Sequence, residues 1–265
     1  MMLVDVHAHM DIDGFIGKKL DIDQAITKCI KSDVVAIVSQ GVNIESNRDV
    51  LKLAQKHKII KPALGIYPVH CFEMISQGKE KEFNLEIEFI DQQLKNKKIV
   101  AIGEVGLDYK EIEPTDENKK ILKDCLKKFL DLAKKYDVPI ILHSRGAELD
   151  LIEFLEQEGM KNRRVIMHCF SGRKHLVQRI IDNGWFLTVP AIVARLEHFQ
   201  YIARDAPLNQ LLTETDSPML SPDSNTLNDP SNVIFAIKKI AEIKKMDENE
   251  VANIIYNNYQ RLFQQ

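Results

Sequence analysis

Short, almost unbroken apolar runs alternate along the chain with longer segments in which apolar positions recur every three or four residues. The runs are Met2–His7, Val34–Ser39, Ile60–Gly65, Ile99–Glu104, Val138–His143, Val165–His168, Trp185–Val189 and Leu211–Thr215. They are rich in Val, Ile and Leu, as parallel strands buried on both faces should be. Thr115–Tyr136 follows Pro114 and sets Ile121, Leu122, Cys125, Leu126, Phe129, Leu130 and Ala133 along one helical face. Glu45–His57, Asn84–Asn96, Ala147–Glu158 and Lys174–Asn183 carry the same period less strongly, and Asp229–Lys244 and Glu248–Gln260 predict closing helices. Val193–Asp205 shows no decisive period. Eight strands each followed by a crossover predict an α/β fold, a single-domain (β/α)8 TIM barrel over residues 1–265. An open doubly wound sheet is the competing arrangement.

Composition agrees with that size, since α/β barrels run to about 250 residues as one domain. The balance of 36 Lys+Arg against 39 Asp+Glu, a formal −3, excludes a broadly basic wrapper of nucleic acid. A polyanionic substrate would have to be met by local charge or by metal ions. Cys29, Cys71, Cys125 and Cys169 are far apart and form no CxxC pair, which fits a reduced, cytoplasmic protein. No apolar run approaches the ~18 residues of a membrane span, and His7 and His9 arrive too early for a secretory signal.

The ionisable residues fall at the ends of the predicted strands. His7 ends the first and His9 follows it, Glu104 ends the fourth, His143 the fifth and His168 the sixth, and Asp216 follows the eighth. Barrel enzymes build their sites on this C-terminal face. The spacing of two puts His7 and His9 on one side of their strand. A carboxylate ending a buried strand, as Glu104 does, needs an Arg, a Lys or a metal as partner. Singly, His143 and His168 also fit hydrogen-bonded core histidines, and Asp216 fits a cap before Pro218. Six such residues on one rim point instead to a shared metal centre. Imidazole and carboxylate ligands suit Zn²⁺, Mn²⁺, Co²⁺ or Ni²⁺, with Mg²⁺ tolerated. Six exceed the needs of one catalytic ion, whereas a bridging carboxylate lets them hold two, ~3.5–4 Å apart. With neutral imidazoles, such a site would carry a charge of roughly +2.

These residues lie in Val4-Asp5-Val6-His7-Ala8-His9-Met10-Asp11, Gly103-Glu104-Val105-Gly106-Leu107-Asp108-Tyr109, His143-Ser144-Arg145, Met167-His168-Cys169-Phe170-Ser171-Gly172 and Glu214-Thr215-Asp216-Ser217-Pro218. With the closing segment from Asn258 to Leu262-Phe263, the set resembles the TatD family of metal-dependent deoxyribonucleases, within the wider amidohydrolase-like group of metal barrels. The resemblance implies a TIM barrel, a two-metal site and hydrolysis of DNA phosphodiesters. It implies that His7, His9, Glu104 and Asp216 hold one ion and that Glu104, His143 and His168 hold the other, with Glu104 bridging. One departure stands out. The family's Gly-x-His-Pro-His reads here as Gly65-Ile66-Tyr67-Pro68-Val69-His70, which changes how this loop meets substrate.

The expected chemistry is in-line attack by a metal-bound hydroxide, exonuclease-type on single-stranded or frayed ends. The expected catalytic residues are Glu104, as the bridge, and Asp216, as ligand and general base. Arg145 and Arg173 are candidates for gripping phosphate, and Tyr67, His70 and Tyr109 for lining the cleft. Glu214, two residues before Asp216, is expected to orient a ligand or pair with Arg145. Asp5 and Asp11 read as structural hydrogen-bonding residues, and His57, His175 and His198 as solvent-facing. A small-molecule amidohydrolase or phosphoesterase is the alternative, because barrel and metals do not determine the substrate. Retention of all six candidate ligands weighs against a third reading, a non-catalytic scaffold. DNA is the expected partner, as substrate, with no membrane association and no obligate protein partner; a monomer is the default.

Overall fold

Val, Ile and Leu segments with no polar alternation need cover on both faces, and the chain supplies it by returning a helix after nearly every strand. The computed structural model of the chain describes residues 1–11 and 20–264. The order is β1 (Leu3–Ala8), α1 (Ile22–Lys31), β2 (Val34–Gln40), α2 (Ile44–Lys56), β3 (Ile60–Leu64), α3 (Pro68–Ser76), α4 (Glu80–Lys95) and β4 (Ala101–Asp108). It continues with α5 (Asp116–Tyr136), β5 (Ile140–Arg145), α6 (Glu148–Gln157), β6 (Val165–Met167), α7 (Lys174–Asp182) and β7 (Phe186–Pro190). The last elements are α8 (Glu197–Asp205), β8 (Leu211–Glu214), α9 (Val233–Lys244) and α10 (Glu248–Phe263).

Seven parallel ladders join β1 to β8 in chain order. The last strand returns to the first through main-chain bonds, Asp216 N–H to the His7 carbonyl at 2.9 Å and His9 N–H to the Ser217 carbonyl at 2.7 Å. Side chains complete this seam. Thr213 Oγ1 donates to the Val4 carbonyl at 2.8 Å, and fully buried Asp5 accepts from His7 N–H at 3.1 Å, Thr215 N–H at 3.0 Å and Thr215 Oγ1 at 2.5 Å. The predicted (β/α)8 barrel is therefore the fold observed, and the open sheet is not.

Local chemistry accounts for the helices. Asp21, Asn43, Thr115 and Asp247 cap α1, α2, α5 and α10 by accepting backbone N–H bonds in the first turn. On α5 the buried face is Leu122, Cys125, Leu126, Phe129, Leu130 and Ala133, and Phe129 meets Phe83 of α4 edge-on with centroids 6.1 Å apart. Trp185 is fully buried and donates its indole N–H to the Met160 carbonyl at 2.8 Å.

Several elements differ from the sequence expectation. Helices α1 and α3 were not anticipated; both are short, and α3 opens on Pro68 at its first position, where the missing N–H costs nothing. Helix α4 begins at Glu80 rather than Asn84, and Val193–Asp205 resolves into a 3₁₀ turn, Ala191–Ala194, followed by α8. The largest difference is β4, which does not stop at Glu104 but runs on to Asp108. Gly106 permits this: its φ is +151°, and a Cβ there would lie 2.0 Å from the His143 carbonyl oxygen. The glycine-containing stretch beyond Glu104, where the predicted strand ended, is a continuation of the strand pressed against β5.

The seam gives a first test. Replacing Asp5 by Ala would leave buried N–H groups of His7 and Thr215 without acceptors, at a cost of about 3 kcal/mol. Urea unfolding of Asp5→Ala against the parent protein should show that loss, and a change within about 0.5 kcal/mol would contradict the role assigned to Asp5.

Candidate metal centre

Parallel strands in one barrel all end on the same face, so residues distant in sequence meet there. His7 lies in β1 and His9 just after it, Glu104 in the middle of β4, and His143 in β5. His168 follows β6 directly, and Asp216 lies two residues past β8. Asp216 adopts a left-handed φ of +57°, a conformation that Asp tolerates better than most residues.

Glu104, only 3% exposed, divides the cluster into two halves. Its Oε2 lies 3.4 Å from His9 Nε2 and 3.7 Å from His7 Nε2. Those two nitrogens are 3.1 Å apart, and Asp216 Oδ1 lies 3.5 Å from His7 Nε2 and 3.4 Å from His9 Nε2. Glu104 Oε1 faces the other way, 2.9 Å from His143 Nδ1 and 3.9 Å from His168 Nε2. The His7 and His168 rings stack between the halves with centroids 3.4 Å apart.

The charge states follow from this crowding. Burial, reinforced by the neighbouring imidazoles, pushes His7 well below the ordinary histidine value, so it stays neutral with a lone pair to offer. Burial opposes a charge on Glu104, yet the bond to His143 and the charges of His143, His168 and His9 outweigh it and lower the carboxyl to about 2. Burial likewise opposes a charge on His168, but Glu214 raises it to about 10. His9 is raised despite burial by its bond to Asp216 and the charge of Glu104. In the same way His143 is raised against burial by its bonds to Asp108 and Glu104.

The donor set fits divalent ions. Groups that could hold an ion include His7, His9 and Glu104; His7, His168 and Asp216; and Glu104, His143 and His168. The Nδ1 atoms of His7 and His9 are buried without a hydrogen-bond partner among the described residues, so the polar contacts described for these rings are those of the Nε2 atoms that converge on Glu104 and Asp216. Nitrogen and carboxylate oxygen in this mixture suit Zn²⁺, Mn²⁺, Co²⁺ or Ni²⁺.

The remaining sequence candidates lie around this cluster. Glu214, fully buried, accepts from His168 Nδ1 at 2.7 Å and from Cys169 N–H at 3.1 Å. It orients a histidine and does not pair with Arg145, which instead reaches exposed Glu111 at 3.1 Å. Arg173 is exposed at the start of α7. Tyr67 points into the site, its hydroxyl 2.8 Å from Asp108 Oδ2 and 3.1 Å from His143 Nε2. His70 bonds the Val42 carbonyl through Nδ1 at 2.9 Å, and Tyr109 donates to Asp150 at 2.6 Å; both are thereby tied into the framework. Two histidines expected to face solvent do not: His57 packs beside Asp23 with its side chain 13% exposed, and His198 Nε2 meets the Phe170 carbonyl at 2.9 Å.

Asp108 was not singled out from the sequence. It is buried, bonds His143 Nε2 at 3.0 Å, and is held below the usual carboxylate range, since His143, Tyr67 and backbone N–H groups outweigh the effect of burial. Its even spacing from Glu104 would have flagged it had β4 been read as continuing past Gly106.

Comparison with known proteins agrees with this geometry. The sequence model described as TatD related DNase matches residues 4–264. An uncharacterized metal-dependent hydrolase of Methanocaldococcus jannaschii, MJ1582, is 33% identical over 262 residues, covering 98% of this chain and 96% of its own. The human deoxyribonuclease TATDN3 is 28% identical over 263 residues, covering 98% of this chain and 94% of its own. Among solved structures, the TatD homologue YJJV of Escherichia coli K12 superposes with a TM-score of 0.83 at 27% identity, covering 99% of this chain and 98% of its own. A match over almost the whole length, on a barrel whose rim gathers the expected histidines and carboxylates, leaves one assignment: the chain belongs to the TatD related DNase family and is a metal-dependent hydrolase acting on ester bonds.

Proposed function

We propose that this protein cleaves DNA phosphodiester bonds, working from single-stranded or frayed ends, at two divalent ions bridged by Glu104. The observation that carries this reading is the division of Glu104, with Oε2 turned to His7 and His9 and Oε1 to His143 and His168. In it, His7, His9, Glu104 and Asp216 would hold one ion, and Glu104, His143 and His168 would hold the other. When bound, such ions supply Lewis acidity and bring a water's pKa towards ~7.

The protein's own groups do the rest. Asp216 is the carboxylate that does not bridge, and its side chain is 14% exposed against 4% for Glu104. It is therefore the better placed to accept the proton of the attacking water. Arg145 and Arg173 are exposed and are assigned to phosphate oxygens of the incoming strand. Because all six ligand candidates are largely buried, a strand end or an unpaired strand reaches them more readily than the backbone of an intact duplex. The local charge of roughly +2 with two ions bound explains how a chain of net charge −3 could hold a polyanion.

All six side chains come from one chain, so the site is complete in a monomer. The four cysteines are unpaired, which supports a reducing, cytoplasmic setting. Among the described residues, no helix is long and apolar enough to cross a membrane. Three relatives whose names include deoxyribonuclease, the human protein TATDN3 among them, and the family's description as TatD related DNase support DNA as the substrate class.

End-labelled single-stranded DNA, incubated with metal-stripped protein and one added ion at a time, tests the proposal. Metal-dependent shortening is expected, with Glu104→Ala slower by on the order of a thousandfold or more. If the wild type binds metal but leaves DNA intact while hydrolysing small esters or amides, the substrate assignment fails. A second expectation concerns pH. His168, raised to about 10, carries a proton at neutral pH in the metal-free protein, and a binding ion must displace it. Affinity should therefore rise with pH up to about 10, with proton release visible by calorimetry in buffers of different ionisation enthalpy. Uptake without proton release at pH 7 would contradict this.

A further inference from the structure

Two of the four histidines are backed by a buried carboxylate and two are not. His168 Nδ1 meets Glu214 Oε2 at 2.7 Å, and His143 Nε2 meets Asp108 Oδ2 at 3.0 Å. His7 Nδ1 and His9 Nδ1, by contrast, are buried without a hydrogen-bond partner among the described residues. The backed pair belongs to the same half of the site, the half facing Glu104 Oε1.

The surroundings of Asp108 decide how His143 carries its proton. Asp108 Oδ1 accepts the N–H groups of Lys110 at 2.9 Å and Glu111 at 3.1 Å, and Oδ2 accepts the Tyr67 hydroxyl at 2.8 Å. The carboxylate is thus fixed from three sides. A lone pair on His143 Nε2 would face another lone pair at 3.0 Å, an arrangement that costs energy in a buried site. Nε2 must carry a hydrogen, which leaves Nδ1 to face Glu104 Oε1 at 2.9 Å. Without metal a proton on Nδ1 bridges that short gap to Glu104; a metal ion would displace this proton and not the one on Nε2, since a ligand histidine normally gives its outer N–H to a carboxylate in this way. The contact depends on the extension of β4: Gly106 pairs with His143 and Asp108 with Arg145.

We propose that Asp108, clamped by Tyr67, is the positioning residue that presents His143 to metal through Nδ1, and that the Glu104–His143–His168 half is consequently the tighter of the two metal positions. This rests on the metal-centre reading above. It also gives Tyr67 a task other than substrate contact, as the donor that holds the carboxylate in place.

Zinc titrated into the metal-stripped full chain, in competition with a fluorescent chelator, should bind in two steps of different affinity. Asp108→Asn should weaken the tighter step by about 10–100-fold and leave the weaker within about twofold. Tyr67→Phe, which removes one donor to Asp108, should weaken the tighter step by about fivefold. Long-range proton–nitrogen NMR of the zinc-loaded wild type should show His143 protonated on Nε2 and bound through Nδ1. A His143 proton on Nδ1, or a tighter step unmoved by Asp108→Asn, would overturn the assignment of Asp108 and leave the metal centre standing. Failure of the wild type to bind zinc would overturn both. Should Asp108→Asn not fold by circular dichroism, the NMR spectrum and Tyr67→Phe decide the matter.

Discussion

A carboxylate shut inside a protein needs positive charge or strong donors around it, and Glu104 sits at the centre of this barrel among four imidazoles. Much of the architecture can be read as the means of satisfying that one group. Five strands, β1, β4, β5, β6 and β8, bring their ends together so that Glu104 has a partner on each oxygen. The β1–β8 seam sets His7, His9 and Asp216 on one side through backbone bonds, while the β4–β5 ladder sets His143 on the other. The buried charge is costly as a structural element and makes sense as a ligand. Breaking such a pairing by removing one partner leaves an uncompensated charge, which is why the site and the fold around it are tied together.

The two halves of the site differ in how firmly they are held. Where Glu214 and Asp108 back the imidazoles, each ring is held in one orientation, and its inward nitrogen is the more basic for it. His7 and His9 lack such partners among the described residues, and their orientation comes from the seam between β1 and β8 and from contacts with other members of the cluster. In a hydrolase that difference is useful. A firmly held position would keep its ion, and a looser one could change its contacts during a reaction cycle. Tyr67 links this framework to the loop after β3, so the departure from the family's usual histidines falls on a residue that contacts both Asp108 and His143.

The barrel was legible because its signal is local. Unbroken Val, Ile and Leu runs and the single face of Thr115–Tyr136 arise from period and burial, which the order of residues carries directly. The six candidate ligands stood out for a related reason, each lying at or near the end of a predicted strand. What escaped notice depends on register between strands. Asp108 follows two glycines, Gly103 and Gly106, and lies beyond the predicted end of the strand; only its pairing opposite Arg145 shows that β4 continues. Arg145 and Glu214 share an end of the barrel but not a layer, so the pairing between them failed: one is exposed on the rim and the other fully buried. Helices α1 and α3 were also missed, although α6 and α7, of the same length, were read from their period.

The central claim is the proposal that Glu104 would be shared by two ions, held with His7, His9 and Asp216 on one side and with His143 and His168 on the other. Diffraction from crystals grown with Mn²⁺, recorded at the manganese absorption edge, addresses it directly. Two anomalous peaks flanking the Glu104 carboxylate, one among His7, His9 and Asp216 and the other beside His143 and His168, are the expected result. A single peak at full metal saturation, or peaks away from Glu104, would contradict the account.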